Sequence, residues 1–133
     1  MSLLELREVT KTYHFEETGV TVLERISFSV NPGEFVCLVG PSGCGKSTIL
    51  KMVTGLTFPS AGQVLYKNEE ITAVNTQTAM VFQSFALFPW LTVRQNVALG
   101  LEARGWPKRE SEAKANYYID KVGLDGHEDA YPK

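Results

Sequence analysis

Residues 40–47 read Gly-Pro-Ser-Gly-Cys-Gly-Lys-Ser, with Gly40 and Gly45 five positions apart and followed at once by a lysine and a hydroxyl. That pattern suits a polyphosphate site. A triphosphate is gripped by successive backbone N–H groups turned inward around it, and side chains at Gly43 and Gly45 would obstruct that approach. The amides from Gly43 to Thr48 also open a helix, whose positive dipole end would face the β-phosphate. Lys46 adds a full charge for the β and γ oxygens, and Ser47 offers a hydroxyl to a Mg2+ ion bridging them. The alternative is a glycine-rich turn that does no more than cap a helix.

Such a loop needs a strand before it and a helix after it. Glu34-Phe35-Val36-Cys37-Leu38-Val39 is a short apolar run suited to a strand buried on both faces. Lys46 to Thr54 can begin the helix, with Ile49, Leu50 and Val53 on one apolar face and Gly55 as a left-handed stop. Further upstream, Leu4, Leu6 and Val9 lead into Tyr13 as a first strand, and Ile26, Phe28 and Val30 alternate in a second. The two read as a half-buried antiparallel pair, with a polar loop from His14 to Gly19 between them and a turn at Asn31-Pro32-Gly33. After the helix, Phe58 to Gly62 reads as a turn, Val64 and Tyr66 as a short strand, and Lys67 to Glu70 as the turn toward Ile71. Thr78 to Phe82 is again strand-like. Gln83 stands at its end, where ligands meet an open α/β sheet.

Three features admit two readings each. Tyr13, at a strand end, either stacks on a base or is an ordinary half-exposed strand tyrosine. Gln83 either ligates Mg2+ and orients a water or is simply a polar residue leaving a strand. Ser84 to Trp90 crowds Phe85, Leu87, Phe88 and Trp90 around Pro89, which excludes a regular helix interior. It serves either as a hinge or as an apolar patch that receives another protein. Beyond it, Thr92-Val93-Arg94-Gln95 has capping-box form, and Val93, Val97 and Leu101 share a helical face up to Gly105. A second helix follows from Pro107 through Ala115, Ile119 and Val122, closed by Gly123.

The 133 residues make one domain's worth of chain. With 13 basic and 15 acidic residues the formal net charge is −2, which gives no electrostatic footprint for nucleic acid. Cys37 and Cys44 have no metal-binding spacing and read as free thiols in a reducing cytoplasm. No apolar run approaches the ~18 residues of a membrane span, and no signal peptide is expected.

The whole pattern resembles the ATP-binding subunit of ABC transporters, over essentially the full chain. Gly40 to Ser47 resembles that family's Walker A loop, Tyr13 its adenine-stacking aromatic, and Gln83 in Val81-Phe82-Gln83 its Q-loop glutamine. The resemblance implies an α/β fold: a P-loop NTPase core with an incomplete sheet, an antiparallel β subdomain, and the start of a helical subdomain. It implies that residues 1–83 form the β subdomain and core, and 84–133 the Q-loop segment and first helices. It further implies ATP and Mg2+ as cofactors. Tyr13, Ser42, Gly43, Cys44, Gly45, Lys46, Ser47 and Thr48 would bind nucleotide, Ser47 and Gln83 the metal, and Lys46 and Gln83 would serve catalysis. The implied partners are a transmembrane permease, met through the Gln83–Thr92 region, and a second ATP-binding subunit. The implied location is the cytoplasmic face of the cell membrane, held there by the permease. Ala86 to Val93 resembles importers of nitrate, sulfonate or taurine.

These residues contain no Leu-Ser-Gly-Gly-Gln signature, no Walker B carboxylates and no switch histidine. Tyr117-Tyr118-Ile119-Asp120 imitates Walker B but falls inside a helical pattern, and His14 and His127 read as surface residues. The expectation is therefore nucleotide binding without turnover. Bare sheet edges and apolar helix faces would favour self-association. Two rivals stand beside this reading: a nucleotide-binding regulatory module that never hydrolyses, and another P-loop kinase or GTPase. The second would need a base-reading motif such as Asn-Lys-x-Asp, which the sequence lacks.

Overall fold

A computed structural model describes residues 2–16, 18–84 and 86–132. The chain forms two compact units, Met1–Val81 and Phe82–Lys133.

The first unit is built on a long antiparallel pair, β1 (Leu4–Phe15) and β2 (Thr18–Val30). Their register runs from Leu4 opposite Val30 to Phe15 opposite Thr18. The segment expected as a loop from His14 to Gly19 is therefore mostly strand. A Thr12–Thr21 hydroxyl pair at 3.0 Å supports the ladder there, and the Thr18 hydroxyl donates to the Phe15 carbonyl at 3.0 Å. β3 (Ala61–Tyr66) pairs with the other edge of β1, and β4 (Glu69–Glu70) with β3, giving the sheet order β2-β1-β3-β4. Lys67 and Asn68 both take positive φ, 51° and 66°, the conformation that lets a two-residue hairpin follow strand twist.

The register of β1 breaks between Leu6 and Val9, at Glu8, and the pairing shifts again between Val9 and Lys11, at Arg25 of β2; both residues adopt φ 49°. Arg25 bonds Glu8 at 2.7 Å and Ser27 bonds it at 3.2 Å; together they hold the Glu8 carboxyl below the usual range. At the same irregularity β3 crosses close to β1. Gly62, with φ 81°, leaves room for a Cβ only 2.3 Å from the Glu8 carbonyl oxygen and 2.4 Å from that of Arg7.

α1 (Lys46–Val53) covers one face of this sheet. Leu6, Val9, Leu23, Ile49, Met52, Val64 and Ile71 form the core. The helix turns differently from the sequence expectation. Met52 is buried and Leu50 is exposed, because positions three apart, Ile49 and Met52, face the sheet. Gly55 does end the helix, at φ 72° with its N–H donating to Met52.

Two expected strands are absent as strands. Glu34–Val39 and Thr78–Phe82 pair with no described residue, and Phe35, Val39 and Val81 are 95%, 91% and 95% exposed. Cys37, expected inside, is exposed as well. An all-apolar strand is stable only when hydrogen-bonded on its edges and covered on its faces; here no described strand pairs with either segment, and only Leu38 of the first packs against the core. The turn that launches the first of these segments is firm. The Glu34 carboxylate accepts from the Asn31 side chain at 2.9 Å and its backbone N–H at 2.7 Å, which keeps that carboxyl below its ordinary range.

In the second unit α2 (Val93–Glu102) and α3 (Lys108–Lys121) pack through Ala98, Ser111, Ala115 and Ile119. The Thr92 hydroxyl accepts from the Gln95 N–H, and Gln95 accepts from the Thr92 N–H at 2.8 Å, completing the expected capping box. Val97 and Val122, expected on buried faces, are exposed; the close helix contact is made instead by the small side chains. Gly123 closes α3 at φ 74°. Among the described residues no helix is long and apolar enough to cross a membrane.

Replacing Gly62 by alanine should destabilise the chain by about 2 kcal/mol or more, since backbone carbonyls rather than a flexible side chain stand in the way. Gly33→Ala, at φ 79° with open space around it, should cost about 1 kcal/mol. Urea midpoints at unchanged m report both.

Candidate nucleotide-binding site

The loop between the exposed Glu34–Val39 segment and α1 owes its curl to two glycines. Gly43 sits at φ 81° and Gly45 at φ 99°, both in the left-handed region. Gly45 is also wedged. A Cβ there would lie 2.5 Å from Leu23 Cδ2 and 3.2 Å from Val22 Cγ1, so β2 presses directly on the loop. Gly40 is constrained differently, its absent Cβ standing 2.7 Å from Cys44 Sγ.

This curl leaves backbone donors unspent. The first intrahelical bond of α1 runs from the Ile49 N–H to the Gly45 carbonyl at 3.0 Å. The amides of Gly43, Gly45, Lys46, Ser47 and Thr48 donate to no described residue, and no side chain caps the helix. The first turn carries no acidic residue to compensate the dipole. Unpaired N–H groups at a helix start, with positive potential and no internal counter-charge, fit an anion.

Lys46 is half-buried, and its ammonium is folded back over the loop. Nζ donates to the Gly40 and Pro41 carbonyls at 2.7 Å each and lies 3.6 Å from Cys44 Sγ. An ammonium has three N–H donors. Two are fixed by the loop itself; the third meets only a weak thiol acceptor, which a phosphate oxygen would replace at a gain. Ser42, Cys44 and Ser47 are exposed along the same turn and Thr48 is half-buried. Among the described residues no cluster of three His, Cys, Asp or Glu side chains could hold a metal ion alone.

Tyr13 lies at the end of β1, opposite Val20, while Lys11 is opposite Leu23. The residue that buttresses Gly45 and the partner of Tyr13 are thus close along one strand, roughly three residue rises of ~3.3 Å apart. Tyr13 is half-exposed, and Lys11 Nζ stands 5.0 Å from its ring centroid. Sequence reasoning missed both the Leu23 buttress and the Lys11 contact; the first depends on how β2 meets the loop, which no local pattern specifies, whereas the spacing of two between Lys11 and Tyr13 within one strand was the available signal for the second.

Gln83 belongs to the second unit, exposed in a bend. In the following segment Phe85 lies outside the described residues. Leu87, Phe88 and Trp90 are exposed, with the Phe88 and Trp90 rings 5.4 Å apart. Asn96 organises this segment: its carbonyl oxygen accepts from the Phe88 N–H at 2.8 Å, and its NH2 donates to Phe88, Leu91 and Thr92 carbonyls at 3.0–3.1 Å. An asparagine one turn after a cap was the overlooked signal. Asp120 lies within α3 and both histidines are exposed, so neither imitates a Walker B strand or a phosphate sensor.

Residues 23–133 match the family model described as ABC transporter. The chain is 40% identical to the nitrate import ATP-binding protein NrtD of Synechocystis sp., covering 98% of this chain and 49% of that protein. It is 41% identical to the aliphatic sulfonates import ATP-binding protein SsuB of Bacillus anthracis, covering 98% of this chain and 51% of that one. Among solved structures it resembles a dimeric post-hydrolysis state of the ATP-binding cassette MJ0796 bound to ADP and Pi. That match has a TM-score of 0.85 and 30% identity over 97% of this chain and 61% of the other. The chain spans about half the length of the curated relatives it matches.

Gly45→Ala should cost about 2 kcal/mol or more through φ strain and the Leu23 contact together. Leu23→Ala removes the contact but not the strain. The two changes should therefore be less than additive, by about 1 kcal/mol, in a double-mutant cycle of unfolding free energies.

Proposed function

The chain belongs to the ABC transporter ATP-binding family, and from that premise we propose that residues 40–48 grip the phosphates of Mg-ATP in a subunit that drives solute transport. The observation that carries the reading is the row of unspent amides at Gly43 and Gly45 to Thr48, closed over by the Lys46 ammonium. Those amides take the phosphate oxygens, and the helix dipole adds to their field. Lys46 supplies the charge that follows the β and γ oxygens, its geometry preset by two loop carbonyls. Ser47 would hold Mg2+ through its hydroxyl, and the metal would supply charge neutralisation at the phosphates. Tyr13 would stack the adenine, and Gln83, carried by the second unit, has the amide that could ligate the metal and orient water.

The exposed Leu87, Phe88 and Trp90 side chains, set by Asn96, are the surface offered to a transmembrane permease. Through it the whole protein is held at the cytoplasmic face of the membrane. The relatives named for nitrate and sulfonate import support an importer of small anions as its setting. Pairing with a second ATP-binding subunit is supported by the dimeric solved relative. Residues 1–133 contain no signature sequence and no Walker B carboxylates. By themselves they bind nucleotide with negligible turnover, since hydrolysis needs those groups around the γ-phosphate. The bare Phe35, Val39 and Val81 side chains favour self-association of this stretch.

Calorimetry with Mg-ATP should give saturable binding. Lys46→Ala should weaken it by about tenfold to a hundredfold, the size of a charged hydrogen bond. Phosphate release should stay far below ~1 per second. Retention of near-native affinity by Lys46→Ala would overturn the assignment of that ammonium to the phosphates. Steady turnover would overturn the inactivity of this stretch.

A further inference from the structure

A tyrosine at the end of a strand has one side chain's freedom to swing, and a base-stacking platform has to hold still. The surroundings of Tyr13 supply the restraint. Lys11 Nζ lies over the ring at 5.0 Å from its centroid, within the range in which a cation is attracted to the π face. That ammonium is itself fixed, donating to the Phe58 carbonyl at 2.7 Å. The turn carrying Phe58 is in turn stitched to β1. The Ser60 N–H donates to the Thr10 carbonyl at 2.8 Å, the Thr12 N–H donates to Ser60 Oγ at 3.1 Å, and Ser60 Oγ donates to the Thr12 carbonyl at 3.2 Å. Lys11 is engaged in no salt bridge among the described residues, so its charge is directed at the ring and the carbonyl.

We propose that Lys11 is a positioning residue for base recognition: pinned by the Phe58 carbonyl, it covers one face of Tyr13 and sets the ring to stack an adenine on the other. The proposal rests on Tyr13 as the base platform of the nucleotide site. Its physical content is pre-organisation. With one face taken by a cation, the ring has a single stacking side and a restricted set of orientations. The ammonium also draws π density toward itself, which favours an electron-rich aromatic such as an amino-purine on the opposite face.

The test compares Mg-ATP with Mg-tripolyphosphate, which presents the same phosphates without a base, by calorimetry on the chain and its variants. The unaltered chain should prefer Mg-ATP. Lys11→Met keeps the stem but removes the charge. It should weaken Mg-ATP about threefold or more while leaving tripolyphosphate unchanged, and that unchanged binding doubles as the check on folding. Lys11→Arg, which keeps both a cation and a donor, should restore Mg-ATP affinity. In a Tyr13→Ala background Lys11→Met should have no further effect.

Equal weakening of both ligands by Lys11→Met would overturn the proposal in favour of a charge acting on the phosphates or the fold. No change in either, or an undiminished effect without Tyr13, would overturn it too. Those outcomes leave the nucleotide site standing. If the unaltered chain binds both ligands with no preference, the Tyr13 platform falls and this proposal with it; if it binds neither, the phosphate loop reading itself fails.

Discussion

Gly45 has to turn left-handed at a point where β2 leaves no space for a side chain, and the polyphosphate chemistry proposed for this chain depends on that crowding. Leu23 and Val22 press on the loop from the sheet side. The loop therefore cannot relax into another turn of helix, and the amides ahead of α1 stay unpaired instead of bonding to one another. In a looser setting the same sequence would satisfy those donors internally and lose the site. The Lys46 ammonium completes the arrangement from the other side, bonded to two carbonyls of the very loop it crosses.

The antiparallel sheet serves this site from two directions. β2 supplies the buttress behind Gly45, and β1 carries Tyr13 and Lys11 to the same end of the ladder. The bulges in β1 are part of that service. They absorb the mismatch between two long strands and allow β3 to approach through Gly62, where no side chain fits. α1 closes the core with Ile49 and Met52, so its N-terminus is anchored by burial a turn away from the exposed loop.

Much of this was legible locally. The glycine spacing, the lysine and hydroxyl after it, the alternation in β1 and β2, the capping box at Thr92 and the stops at Gly55 and Gly123 all carry their physical reason within a few residues. The resemblance to ABC ATP-binding subunits, drawn on those motifs, agrees with the family the chain belongs to. Where local reading failed, the deciding partner was distant. Glu34–Val39 and Thr78–Phe82 have the composition of buried strands, yet no described residue pairs with them. Leu50 looked as apolar as Met52, and only the angle at which α1 meets the sheet separates them.

The sequence by itself determined the chemistry that is available: which backbone positions can invert, which cation stands beside them, and where helices begin and end. Those are properties of single residues and their near neighbours. Only the tertiary structure decided what that chemistry faces: that Leu23 locks Gly45, that the Phe58 carbonyl pins Lys11 beside the Tyr13 ring, and that Asn96 gathers three carbonyls of the Phe88–Thr92 segment. The first two are set by contacts between segments far apart in the chain and the third by a chain that doubles back on its own helix start. No periodicity encodes either, because the energy that fixes them comes from pairing and packing between residues far apart in the chain or folded against one another.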